Sequence, residues 1–199
     1  YNQENEIWYR VSNRFLGSAT ASYFPSDWIT FDGTFGYDTR TRADRDFIAK
    51  GYRTTSISPN TNLGNGSIGD RTEEALNGGL GASLRKQLTK DLNGKLSVRG
   101  TYEQDQILAS SGSGAQFVVK DVFTLSNLST SITATSSEQT IKRAGAFAGA
   151  TAEYKDRYII DGTFRYDGSS LFGSGNRWAP FGRVSGVWRL SEEPFFHVP

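Results

Sequence analysis

The strongest pattern along the 199-residue chain is alternation with a period of two. Phe15, Gly17, Ala19, Ala21 and Tyr23 alternate with Leu16, Ser18, Thr20 and Ser22. Ile29, Phe31, Gly33, Phe35 and Tyr37 alternate with Thr30, Asp32, Thr34, Gly36 and Asp38. The rhythm returns over Leu76–Arg85, Lys95–Glu103, Ala148–Tyr154, Tyr158–Asp167 and Arg183–Leu190. Successive side chains of a strand point to opposite faces, so the pattern predicts about seven strands with one apolar and one polar face. Each is near or above the ~9–11 residues that a tilted strand needs to cross a bilayer, whereas soluble strands average about 5–6. The polar faces carry Asp32, Arg85, Lys95, Arg99, Glu103, Asp161, Arg165 and Arg183. A charged row opposite an apolar row suits a wall with a wet or plugged lumen on one side and lipid on the other.

The connections alternate between short and long. Phe24–Trp28, Thr89–Gly94 and Tyr154–Arg157 read as tight turns. Thr39–Glu74, Leu108–Lys142 and Gly168–Pro180 read as long polar loops rich in Gly, Ser, Thr and Asn. Compact soluble domains rarely carry structureless loops beyond about 12–15 residues, but outer-membrane barrels combine short periplasmic turns with long extracellular loops. All the short turns fall on one side of the inferred sheet. The stretch Asn13–Phe24 is therefore expected to run toward the periplasm and Trp28–Asp38 to run back out.

Aromatic residues divide in the same way. Tyr23, Phe24, Trp28, Tyr154, Tyr158 and Trp188 lie near the short turns, and Phe35, Tyr37, Tyr102, Tyr166 and Trp178 near the long loops. Two such belts are what a membrane barrel places at its two interfaces. The competing reading is that these rings pack a soluble core, since aromatics are common in any strand.

Composition narrows the choice. Only 36% of residues are hydrophobic, which is low for a protein burying a two-sided core but fits strands that are half apolar. No run approaches the ~18 apolar residues of a membrane helix. With 22 Lys+Arg against 21 Asp+Glu there is no basic field for nucleic acid. Cys and Met are both absent, so there is no disulfide framework and no thiolate metal site. A chain that opens Tyr1-Asn2-Gln3 without any Met is expected to be part of a longer protein.

No catalytic constellation is visible, and the chain is not expected to be an enzyme or to hold a cofactor or metal. The one histidine, His197, cannot by itself build a zinc site or a nucleophile–base pair. The alternating acids read as lumen charges rather than as an acid–base pair. Gly112–Gly114 and Gly173–Gly175 read as flexible loop, since neither follows a strand and opens a helix as a phosphate loop would. Asp44-Arg45-Asp46 lacks the calcium-loop pattern and reads as a solvated charge run.

The segment from Tyr154 to Phe196 carries a more specific signal. Its Tyr154, Lys155 and Tyr158, then Arg165 and Asp167–Ser170, then Phe172, Gly173 and Asn176–Trp178, then Ser185, Trp188, Arg189, Ser191, Glu193 and Phe195 resemble the barrel signature of SusC/RagA-like TonB-dependent transporters. Arg14–Ser18 and Pro25–Trp28 resemble that family too. The chain departs from the signature at Ala179–Arg183 and at Val187. The signature reads as mainly architectural. Asp and Ser in Asp167–Ser170 can bond nearby backbone at a strand end, and Gly168 permits unusual dihedrals. Arg165 and Arg189 project into the lumen by alternation, where they are expected to meet a plug.

The resemblance implies an all-β antiparallel transmembrane barrel of about 22 strands filled by an N-terminal plug. Residues 1–199 would supply about seven strands of its wall, without the plug or the segment that contacts TonB. It further implies an outer-membrane location and import of oligosaccharides or peptides driven through the TonB complex. Loops Thr39–Glu74 and Leu108–Lys142 would help capture a glycan or peptide ligand or meet a SusD-like lipoprotein. The alternative class is a soluble surface β-sandwich or lectin-like binding module. It accounts for the alternation but poorly for the strand length and the one-sided loops.

Overall fold

In a computed structural model, which describes residues 6–51 and 63–196, the chain forms one sheet of seven strands paired in sequence order. The strands are β1 (Glu6–Ser26), β2 (Ile29–Ile48), β3 (Asn65–Thr89), β4 (Leu92–Phe117), β5 (Leu128–Tyr154), β6 (Tyr158–Ser169) and β7 (Trp178–Trp188). Every predicted strand is present, and no second sheet faces this one among the described residues, which sets the sandwich aside. No described helix is long and apolar enough to cross a membrane, a fact that says nothing about strands.

The short turns are as expected. Two residues join β1 to β2 and β3 to β4, and three join β5 to β6. In the last, Lys155 and Asp156 take left-handed φ values of 51 and 57, and the Arg157 amide donates to the Tyr154 carbonyl at 3.1 Å. Two left-handed central residues give the twist of a type I′ turn, which matches the twist of paired strands.

The long connections differ from the sequence reading. β2 continues to Ile48, β3 starts at Asn65, β4 runs to Phe117 and β5 starts at Leu128, so most of the expected loop residues extend the ladder. Their side chains are mostly polar on both faces, as in Thr130–Thr140, where only Ile132 and Ala134 are apolar, so no apolar stripe marks them as strand. They are nonetheless rich in β-branched Thr, which suits a pleated surface. Gly112–Gly114 lies within β4 rather than in a loop. A Cβ at Gly112 would come within 2.5 Å of the Leu125 side chain, so the glycine makes room for that leucine.

The described residues divide into two compact units. The first comprises residues 6–16, 38–51, 63–74 and 105–140 and flanks the long connections. It holds the buried apolar residues Phe47, Phe117 and Leu128. Phe123 packs its ring against Phe47 and Phe117, with centroids 5.9 and 5.8 Å apart. The connection from β4 to β5 is tied down by buried Asn127. Its amide donates to the carbonyls of Val119 and Val122 at 2.7 Å each and accepts from the Val119 amide at 2.9 Å.

The second unit comprises Gly17–Tyr37, Ala75–Gln104 and Ile141–Pro199 and contains the three short turns. None of its apolar residues is buried in the way of Phe47. The sheet here has two bare faces, and these faces are the functional feature.

Candidate functional site

One face of the second unit is apolar and open. Leu80 is 76% exposed, Val184 79% and Ile160 61%. Pairing register puts Ala148 opposite Phe164, Ala152 opposite Ile160, and Gly162 opposite Val184, so large side chains sit across from small ones. An exposed apolar surface of this kind on a water-soluble protein would aggregate or bind a partner; under lipid it is in its proper solvent.

Stacked rings close this face at both ends. Tyr154, Tyr158 and Trp188 are aligned across three strands, with successive centroids 6.4 and 6.3 Å apart. Tyr23 and Phe31 stack at 6.5 Å beside another short turn. At the opposite end Tyr166 stacks on Trp178 at 5.1 Å. From Tyr158 to Tyr166 the strand rises roughly 26 Å at about 3.3 Å per residue, or roughly 20 Å along a barrel axis at the usual tilt of about 40°. The apolar band of an outer-membrane barrel is about 25 Å tall, so the two clusters are spaced much as the girdles of such a band are.

The other face is charged, and many of its charges are paired. Arg183 pairs with Asp161 at 3.3 Å and Arg143 with Glu103 at 3.4 Å. Arg99 of β4 pairs with Asp32 of β2 and also donates to Thr34 at 3.1 Å. In the first unit Arg14 pairs with Asp38 at 2.6 Å, Arg10 and Arg42 with Asp44 at 2.5 and 2.9 Å, and Arg45 with Asp70 at 3.0 Å. Asp44 and Arg45 of the run Asp44-Arg45-Asp46 are thus ion-paired. No group of three or more metal-capable side chains occurs among the described residues.

Arg165 and Arg189 both form ion pairs on the charged face. Arg165 pairs with Asp167 at 3.0 Å. Arg189 pairs with Glu153 at 3.0 Å and donates to the Asp156 carbonyl at 2.9 Å. Arg165 and Asp167 lie two residues apart on one face of β6, whereas Arg189, just past β7, reaches across β6 to Glu153 on β5, which alternation alone does not reveal.

The signature residues act as fasteners. Ser170 donates its amide to the Lys142 carbonyl at 2.8 Å and accepts the Lys142 amide on its hydroxyl at 2.9 Å, closing the β5–β6 ladder. Gly168 does not have the positive φ that its role as a dihedral hinge would require. A Cβ there would meet the Trp178 ring at 2.6 Å, so Gly168 supplies space for the indole. Past β7, the chain makes a short 3-10 turn, Leu190–Glu192, and buries Glu193. The Glu193 carboxylate accepts from the Tyr158 hydroxyl at 2.5 Å, the Trp188 indole N–H at 3.0 Å and Arg157 at 3.1 Å. The Tyr158 bond most of all, then the Trp188 bond, holds this carboxyl below its ordinary range, against the opposing effect of burial. The Ser-x-Glu-x-Phe spacing was visible in the sequence; that Glu193 gathers three donors at the open end of the β6–β7 hairpin, from the start of β6 and the end of β7, was not. His197 lies outside the described residues.

A cleft of about 560 Å³ opens on the charged face beneath the β6–β7 connection. Arg143, Arg165, Asp167 and Phe181 reach it from the strands, and Phe172 and Arg177 from the connection. Sequence reasoning assigned no ligand residue here.

No protein-family model matches the chain. The TonB-dependent receptor P26 of Formosa agariphila is 27% identical over 203 residues, covering 92% of this chain and 19% of that protein. The TonB-dependent receptor P39 of the same organism is 42% identical over 43 residues, covering 22% of this chain and 4% of that protein. Among solved structures, the RagAB peptide transporter aligns with a TM-score of 0.84 at 17% identity, over 94% of this chain and 21% of that one. The RagAB peptide importer in its closed-closed state gives 0.85 at 16% identity, over 98% and 22%. At such identities the structural likeness shows a shared fold. The chain spans about a fifth of the length of these proteins. The resemblance to SusC/RagA-like TonB-dependent transporters is borne out, and with it the all-β antiparallel barrel-wall fold.

Proposed function

We propose that this chain forms part of the wall of an outer-membrane TonB-dependent transporter that imports oligosaccharides or peptides. The observation that carries the reading is the exposed apolar face bounded by the Tyr154–Tyr158–Trp188 ladder at one end and the Tyr166–Trp178 stack at the other. A seven-stranded sheet leaves two raw edges, so the segment needs the remaining strands of a closed barrel to satisfy its backbone. A plug and a TonB-contacting segment would come from elsewhere in the protein. β3, β4 and β5, at 25, 26 and 27 residues, are more than twice the ~9–11 needed to span. Their far ends would stand clear of the bilayer and help capture a ligand or receive a SusD-like lipoprotein.

The test is uptake by the full-length protein in outer-membrane vesicles or cells. Import of a labelled peptide or oligosaccharide that stops when TonB is removed supports the reading. A full-length protein that partitions into buffer without detergent, or uptake that ignores TonB, overturns it.

A further inference from the structure

We infer that the cleft beneath the β6–β7 connection is a subsite for a carboxylate carried by the transported ligand. The inference deepens the transporter reading and rests on it. Its volume, about 560 Å³, lies within the range of small-ligand pockets and would admit one or two units of a peptide or glycan.

Charge bookkeeping singles out one residue. Arg143 in the cleft wall is answered by Glu103 at 3.4 Å, and Arg165 by Asp167 at 3.0 Å. Arg177 has no carboxylate partner among the described residues. Its one bond runs from Nε to the Phe172 carbonyl at 3.4 Å, which orients the guanidinium and leaves both terminal nitrogens open. Two parallel N–H donors on a planar, permanently charged group match the geometry of a carboxylate. The cleft is thus lined by three guanidinium groups and by two carboxylates, each of which already answers another arginine.

The surroundings suit a ligand with an apolar or ring-shaped body. Phe172 is 59% and Phe181 56% exposed, although Phe181 projects from the polar side of β7 beside Arg183. Polar-side positions elsewhere on β6 and β7 are mostly charged or hydroxylated, so two bare phenyl rings around one open guanidinium form a distinct place on this face. The floor is kept low by Gly145, where a Cβ would come within 2.6 Å of Asp167 Oδ1 and 3.0 Å of Thr101 Oγ1. The connection that carries Arg177 is itself braced. The Asn176 amide donates to the Gly173 carbonyl at 2.9 Å and the Ser169 amide to the Arg177 carbonyl at 3.0 Å.

The carboxylate could be borne by an acidic peptide or by an acidic sugar, and the experiment separates the two. Full-length transporter in detergent micelles is titrated calorimetrically with a glutamate-rich hexapeptide and its glutamine counterpart, and with trigalacturonate and its methyl ester. At least one acid is expected to bind about tenfold or more tightly than its neutral partner, the scale of a charge-assisted pair. Arg177→Gln should erase that preference without weakening the neutral probe. Arg177→Lys, which keeps the charge and loses the fork, should retain only part of it. Phe181→Leu should weaken acid and neutral probes alike. Equal binding of acid and neutral probes in both pairs overturns the subsite, as does a preference that survives Arg177→Gln; a plug residue seated on Arg177 would give that result. TonB-dependent uptake without acid preference keeps the transporter reading and sinks the subsite. Acid preference lost in Arg177→Gln, in a protein that imports nothing, keeps the subsite and sinks the transporter.

Discussion

Arg99 on β4 and Asp32 on β2 form an ion pair that passes over β3, the strand between them. Second-neighbour strands lie roughly 9–10 Å apart, a span that a long arginine covers only if nothing stands up from the middle strand. Gly79 and Gly81 of β3 provide that clearance. A Cβ at Gly81 would come within 2.5 Å of Asp32 Oδ1, and one at Gly79 within 3.0 Å of the Arg99 guanidinium. Gly81→Val should therefore push Asp32 aside and cost about 1–3 kcal/mol, the range for overpacking a fitted site. Urea unfolding of the full-length barrel reads the loss. In an Asp32→Ala background the same valine should cost much less, and equal costs in both backgrounds would refute the bridge.

Gly168 and Trp178 make a second prediction. The two are partners in the β6–β7 register, and the indole lies over the bare glycine to stack on Tyr166. Gly168→Ala should lift the ring and disrupt the stack, removing roughly 0.5–1.5 kcal/mol of aromatic interaction. Near-ultraviolet circular dichroism of the variant should lose a signal that Tyr166→Leu also removes. An unchanged spectrum in Gly168→Ala would show that the indole does not need the space.

The assignment of faces is tested by neighbouring residues of β7. Val184 lies on the apolar face midway between the aromatic clusters, and Ser185 on the charged face. Val184→Lys should cost about 2–4 kcal/mol in bilayer-embedded barrel, the price of a lysine near the membrane midplane. Ser185→Lys should cost far less, because it adds a charge to a wet surface. Refolding equilibria into lipid vesicles give both numbers, and a reversed order would invert the wall.

Acid should loosen the chain after β7. Glu193 has a folded pKa below its ordinary value of 4.5 because Tyr158, Trp188 and Arg157 all favour the carboxylate. A depressed pKa contributes stability that is complete above the unfolded value and is lost as pH falls through the folded one. Amide exchange over Leu190–Phe196 should then be slow at pH 7 and relatively faster, after correction for intrinsic rates, near pH 3. Glu193→Gln should flatten this dependence. If the variant keeps the wild-type profile, another group governs the turn.

The seven strands, the three tight turns and the two aromatic clusters were legible in the sequence because each follows from local rules. Alternation assigns faces, Tyr154–Arg157 lies between alternating runs, and rings recur at strand ends. The extended ends of β2–β5 escaped the same rules, since a segment such as Thr130–Thr140 is almost wholly polar on both faces and offers no stripe to read. Gly112–Gly114 misled for a related reason: a glycine that makes room for Leu125 looks like one that loosens a loop.

What the sequence by itself determined was which residues face which side, because a period of two is a property of the backbone and needs no partner. Only the tertiary structure decided who meets whom. Arg165 pairs with Asp167 and Arg189 with Glu153, Arg99 finds Asp32 two strands away, and Glu193 collects donors from Arg157, Tyr158 and Trp188. Register and spacing between strands set those meetings, and neither can be read from one strand alone. The same placement leaves Arg177 with an open guanidinium in the cleft, which no pattern along the chain would have distinguished from its paired neighbours.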